Sequence, residues 1–231
     1  MHVGGSFTPF PSSRCMLMTS RSIQTQSVEK NLQKRGFRYI IGSDEAGRGC
    51  IAGPVVVASC CCLLSGNING VDDSKNLNET ARLAIFQEIQ SSPSIYAWTM
   101  AEASNLDIDK TNILQASLSA FRESIETLVE KYDLPFNTTY SIVDGNKTPK
   151  LSVPIPCRPW VKGDANVYTV ACASVIAKVT RDQLMMEAHK LFPEYGFDKN
   201  KGYPTRDHIQ AIHTHGPCPL HRMSFKPLKG R

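Results

Sequence analysis

Phe37-Arg38-Tyr39-Ile40-Ile41-Gly42-Ser43-Asp44-Glu45-Ala46-Gly47-Arg48-Gly49 begins apolar and ends in acids and glycines. Its first five residues predict a short strand that stops at the polar run Ser43-Asp44-Glu45. Pro54 to Leu64, rich in Val and Cys with hardly a polar side chain, predicts a second strand covered on both faces. Two such strands joined through a glycine-rich turn place carboxylates at the rim of a sheet.

Working outward, loop-type residues run from Ser65 through Asp73-Ser74-Lys75, and Asn78 can cap a helix whose Leu83, Phe86 and Ile89 fall on one stripe. Ile95 to Ala101 is strand-like. Leu114, Leu118, Phe121, Ile125 and Leu128 repeat at helical spacing. Tyr140 to Asp144 reads as a central strand that stops at Gly145-Asn146, and a proline-rich stretch leads to Val161-Lys162-Gly163-Asp164. From Val167 to Ile176 the chain is apolar on nearly every side, which predicts a helix buried in the body and continuing to about Leu191. A short helix begins at Thr205 and ends near Gly216. The order is α/β, a mixed β-sheet flanked by helices with a small helical C-terminal extension. We divide it into a basic, acid-poor extension (1–36), a globular α/β body (37–192) and a basic helical segment (193–231).

The 231 residues are enough for one large domain with a real core, and 41% hydrophobic with 20% charged residues is ordinary globular composition. No run of 18 apolar residues occurs, so no membrane span is expected. The net charge of +5 is unevenly placed. Residues 1–35 carry five Lys/Arg and one acid, residues 36–198 carry 14 and 19, and residues 199–231 carry seven and one. An acidic body suits a cation. A basic end suits phosphates, or is simply a solvated end. Eight cysteines without a CxxC pair, three of them consecutive at Cys60-Cys61-Cys62, read as buried reduced thiols in an intracellular setting, not as zinc ligands. The first 28 residues hold Arg14, Arg21, nine Ser/Thr and no acid, the pattern of a transit peptide to a mitochondrion or plastid. The alternatives are a disordered extension of a cytoplasmic protein, or a start at Met16 or Met18.

Carboxylates close to glycine end three strand-like runs: Asp44-Glu45, Asp144 and Asp164. Each alone fits a turn or cap. Together they would repel one another unless a cation joined them, and oxygen-only donors suit Mg²⁺ or Mn²⁺. Two such ions can clamp the attacking water and the leaving oxygen of a phosphodiester. Side chains alternate along a strand, so adjacent Asp44 and Glu45 meet at one site only if the strand ends between them or Glu45 reaches around. Gly47-Arg48-Gly49 offers an unobstructed backbone to a sugar or phosphate, or is a plain tight turn. Tyr203, between Gly202 and Pro204, is either a core residue or a stacking platform.

These motifs resemble ribonuclease HII in order and spacing: Asp44 to Gly49 with Gly53-Pro54, Asp73-Ser74-Lys75, Val143-Asp144-Gly145-Asn146 and Lys162-Gly163-Asp164. So do Ala173 to Asp182, Lys201-Gly202-Tyr203-Pro204-Thr205 and His221-Arg222-Met223-Ser224-Phe225, so that the resemblance spans roughly residues 37–228. It looks like the bacterial-type, single-chain form, implying a monomer with a ribonuclease H-like fold. The partners implied are RNA–DNA hybrids and duplex DNA containing single ribonucleotides. By this resemblance Asp44, Glu45, Asp144 and Asp164 are the catalytic, metal-binding acids for two Mg²⁺ or Mn²⁺ ions. Gly47, Arg48 and Gly49 would contact the ribose 2′-hydroxyl, and Tyr203 would stack on the neighbouring deoxyribose. Lys75, Lys162 and Arg181 would meet phosphate or support the site, with Arg181 alternatively paired to a body carboxylate. Cys50 stands where many members have proline.

Two other classes compete. A non-catalytic hybrid binder would gain nothing from acids facing phosphates. A nucleotide-handling protein using Gly47-Arg48-Gly49 would lack both G-x-G-x-x-G and a Walker lysine.

Overall fold

Three antiparallel strands begin the body, and a crossing through two helices then adds two parallel ones. The computed structural model describes residues 27–63 and 77–230. In chain order the elements are α1 (Ser27–Lys34), β1 (Tyr39–Ala46), β2 (Val55–Cys62), α2 (Glu79–Ser91), β3 (Tyr96–Ala103), α3 (Asn105–Lys110) and α4 (Ile113–Lys131). They continue with β4 (Thr139–Asp144), β5 (Cys157–Trp160), α5 (Gly163–Asn166), α6 (Tyr168–Leu191), α7 (Phe197–Asn200) and α8 (Arg206–His215). The sheet order is β3-β2-β1-β4-β5, antiparallel across β3, β2 and β1 and parallel across β1, β4 and β5. The central strand is therefore β1. The Tyr140–Asp144 run, expected at the centre, lies one place off it.

Alternation along the strands feeds two cores. Ile41, Val55, Val57 and Ala101 pack with Phe121, Ile125 and Leu128 of α4 on one face. Ala58 and Cys60 pack with Phe86 and Ile89 of α2 and with Cys172, Val175 and Ile176 of α6 on the other. That double covering explains the unbroken apolar run of β2. Leu83, read as part of the buried stripe of α2, is 40% exposed, and Ile85 is buried in its place. The seven cysteines among the described residues are free thiols, five of them buried.

Helix α6 lies almost directly on β1, since a Cβ at Gly42 would sit 2.2 Å from the backbone of Thr169. Helices α2, α3, α4 and α8 are capped by Asn78, Ser104, Asn112 and Thr205. The residue at the start of α6 is Val167, which cannot cap, and Glu29 of α1 does so instead. Its Oε1 accepts from the Thr169 amide at 3.0 Å and from Thr169 Oγ1 at 3.3 Å. The stretch read as an extension thus includes a helix docked on the body, with Leu32 buried against Ile40, Ile142 and Val170. The transit-peptide reading concerns residues outside those described, apart from Ser27 and Val28. Among the described residues no helix is long and apolar enough to cross a membrane.

The C-terminal segment has its own core. Phe197, Ile212 and Leu228 pack with Ile51, Ala52 and Met185, which joins the segment to the glycine loop and to the far half of α6.

Candidate active site

Strands β1 and β4 pair from Tyr39 opposite Thr139 to Ser43 opposite Val143, whereas β1 continues beside β2 as far as Ala46 opposite Val56. Beyond Ser43 the middle strand leaves β4, and a cleft of about 400 Å³ lies where they part. Asp44, Glu45 and Asp144 line it, with Gly47, Arg48, Gly49 and Tyr203. Ser174, Lys178 and Arg181 from α6 and Arg82 from α2 also form its wall. A larger groove of about 520 Å³ beyond the end of α4, lined by Glu126, Glu130 and Phe136, includes none of the sequence motifs.

Asp44 and Glu45 both reach the cleft although the strand does not end between them. Asp44 is buried toward α6, and its Oδ1 accepts from the Glu45 amide at 2.7 Å. Glu45 reaches around at the strand end, where Arg48 Nη1 holds its Oε1 at 3.1 Å. Burial raises the Asp44 carboxyl well above the usual carboxylate range, and the charges of Glu45 and then Asp144 raise it further. A hydrogen bond from Ser174 opposes the shift.

Asp144 Oδ1 accepts from the Gly163 amide at 2.7 Å, which ties β4 to the turn after β5. Asp164 follows in α5, not at a strand end. It is buried, accepts from the Ala165 amide at 3.0 Å, and is not part of the cleft lining. The structure thus brings three of the four acids together. Lys162 is exposed in the left-handed region at φ 57°, at the start of the same turn. Lys75 lies outside the described residues.

Arg181 stands in the cleft wall and, among the described residues, forms no ion pair with a body carboxylate. It is buried, and donates from Nε to Pro54 O at 3.0 Å, from Nη1 to Lys201 O at 2.8 Å and from Nη2 to Ala52 O at 3.1 Å. A Cβ at Gly47, where φ is +97°, would fall 1.9 Å from Arg181 Nε, so the loop needs glycine there for space as well as conformation.

A family model described as ribonuclease HII matches residues 41–228. The chain belongs to the ribonuclease HII family. It is 43% identical over 201 residues to the ribonuclease HII of Desulfitobacterium hafniense (strain DSM 10664 / DCB-2), covering 87% of this chain and 74% of that one. Its fold is similar to that of the ribonuclease H2 from Pyrococcus horikoshii, with a TM-score of 0.61 at 24% identity over 82% of this chain and 95% of that one. It is also similar to that of Bst-RNase HIII in complex with Mn²⁺, with a TM-score of 0.63 at 17% identity over 91% of this chain and 74% of that one. As a ribonuclease HII family member, the protein is an endonuclease of the ribonuclease H class, a hydrolase, built on the ribonuclease H-like fold expected from its motifs.

Among the described residues no three His, Cys, Asp or Glu side chains form a ready-made ligand cluster. The donor chemistry fits a divalent cation nonetheless. The cleft gathers carboxylates without histidine or thiolate, and Asp44 is destabilised as an anion by burial and by its two neighbours, which a bound cation would relieve. Ser174 and Lys178 were not singled out from the sequence. Their signal is the spacing 174–178–181, one stripe that begins in the apolar first half of the helix.

Proposed function

We propose that the enzyme hydrolyses the RNA strand of RNA–DNA hybrids and nicks duplex DNA on the 5′ side of a single embedded ribonucleotide, working as a monomer. The observation that carries this is the lining of one cleft by Asp44, Glu45, Asp144, the Gly47-Arg48-Gly49 loop and Tyr203. Asp44, Glu45 and Asp144 hold divalent cations there, and Asp164, next to the glycine that contacts Asp144, is the fourth acid. Two bound Mg²⁺ or Mn²⁺ ions would supply a water of lowered pKa and stabilise the departing oxygen. The chain positions the scissile phosphate between the acids and the loop. Water oxygen joins phosphorus, the bond to the upstream 3′-oxygen breaks, and 5′-phosphate and 3′-hydroxyl ends remain.

The backbone of Gly47-Arg48-Gly49 reads the ribose 2′-hydroxyl, the one group that separates RNA from DNA at a given position. Tyr203, 44% exposed, stacks on the next deoxyribose. Lys162 meets a phosphate beside Asp144.

The test is a nicking assay on labelled duplex DNA carrying one internal ribonucleotide, with Mg²⁺, with Mn²⁺ and with chelator. One metal-dependent nick 5′ of that ribonucleotide is expected. Cleavage of a long hybrid without that nick removes the roles given to Tyr203 and the loop. No cleavage of either by folded protein leaves a hybrid-binding protein.

A further inference from the structure

Behind the cleft, two adjacent residues hold its two recognition elements. Arg222 is fully buried, and among the described residues it forms no ion pair. Its guanidinium is committed to one loop. Nε and Nη2 donate to Gly53 O at 3.0 and 2.8 Å, and Nη1 donates to Arg48 O at 3.1 Å and Cys50 O at 2.7 Å. A charge buried without a carboxylate is costly, and the directed bonds to carbonyl oxygens offset that cost only while the loop keeps this shape. A trans peptide points its N–H opposite to its C=O. With the Arg48 carbonyl turned back to Arg222, the Gly49 N–H is directed away from the clamp. Gly49 and Tyr203 both line the cleft, and a Cβ at Gly49 would meet Tyr203 Cε1 at 3.8 Å.

His221, also buried, reaches Tyr203 from the other side. The shorter of its Nδ1 contacts is to the Cys218 amide, which donates at 2.9 Å, so the His221 proton sits on Nε2. That proton is donated to His208 Nε2 at 3.0 Å, and His208 in turn donates from Nδ1 to the Tyr203 carbonyl at 2.8 Å. Main-chain bonds from Arg222 N to Ile51 O and from Gly53 N to Leu220 O, each 2.9 Å, seat the dipeptide against the loop.

We propose that His221-Arg222 is a positioning pair that fixes the spacing between the glycine loop and Tyr203, and so sets the preference for an RNA-to-DNA junction over a continuous RNA strand. This rests on the proposed roles of the loop and Tyr203. A 2′-hydroxyl and the sugar beside it are a fixed distance apart, so only a rigid pair of readers registers both at once. On continuous RNA the second reader has no junction to find.

The experiment uses the full chain and compares kcat/KM on duplex DNA containing one ribonucleotide with kcat/KM on an all-RNA hybrid. Arg222→Lys places one compact ammonium where a fork served three carbonyls. The junction-to-hybrid ratio is expected to fall about tenfold or more. Simple loss of folded protein lowers both rates equally and leaves the ratio unchanged. An unchanged ratio in folded Arg222→Lys overturns the proposal. If that variant does not fold, His208→Gln, which breaks the link to the Tyr203 carbonyl, is read by the same ratio: a fall supports the proposal and an unchanged value overturns it. Absence of a junction nick by the unaltered enzyme overturns the underlying reading of the site, a result separable from either variant.

Discussion

At Asp44 the protein buries a carboxyl beside two others, an arrangement that only protons or a cation relieve. Its pKa is raised by burial first, then by Glu45 and Asp144. An acid held above its unfolded pKa near 3.8 contributes stability at low pH and loses it as pH rises through the folded value. The chelated protein should therefore lose Tm as pH climbs out of the acid range, and divalent ions should restore more of it at higher pH. Asp144→Asn removes one repelling charge without changing shape. Its nicking rate should fall by more than the roughly 10–100-fold that loss of a ligand's supporting partner costs. Hybrid binding should stay within a few-fold, and Tm in chelator should hold or rise with a flatter pH dependence. Loss of binding in a variant that melts normally would remove Asp144 from the metal set.

At the scale of elements, what was legible in the sequence was local. Asn78 and Thr205 announce their helices because a cap bonds three residues ahead, and α6 announces itself by an apolar run with no polar face. The extent of β1 was not legible, because the polar residues after Ile41 are kept in strand geometry by pairing with β2. The cap of α6 was hidden for a stronger reason: Glu29 and Thr169 are 140 residues apart. Glu29→Ala leaves a buried amide without its acceptor, which should cost about 1–3 kcal/mol. By thermal melting that is a loss of roughly 3–10 °C, partly recovered in Glu29→Gln. The pair formed by His208 of α8 and His221 gives the opposite pH limb to Asp44. Burial, and then His208, lower the His221 pKa to about 4, and burial lowers His208 as well. A histidine below its unfolded value near 6.5 supports the fold above that pH and ceases to as pH falls toward the folded value. Below about pH 6 the wild-type Tm should drop more steeply than that of His221→Gln, as a pH series of melts would show.

For the whole molecule, the question is how an acidic body grips a polyanion. The seven basic residues after position 198 make a basic end, but they are not all available to a substrate. Arg222 is buried on carbonyl groups, and Lys201 Nζ is turned to Met186 and the Asp198 carbonyl. The same is true of Arg181, whose carbonyl contacts could not be read from a motif that places it merely near other charges. Part of the positive charge thus assembles the cleft, and the exposed remainder, with Arg48 in the cleft and Lys162 in the turn whose Gly163 contacts Asp144, is what phosphates can meet. Hybrid affinity should fall as salt rises, with a log–log slope of roughly −0.9 for each phosphate neutralised. Lys162→Gly keeps the left-handed turn and removes one charge. The slope should become shallower by about one, with weakening that is uniform across sequences and across junction and hybrid substrates. A slope unchanged by Lys162→Gly would mean that the charge beside Asp144 meets no phosphate. The junction-to-hybrid ratio, which Arg222→Lys is expected to change, should stay fixed in Lys162→Gly, because a phosphate contact sets grip and not the spacing of the readers.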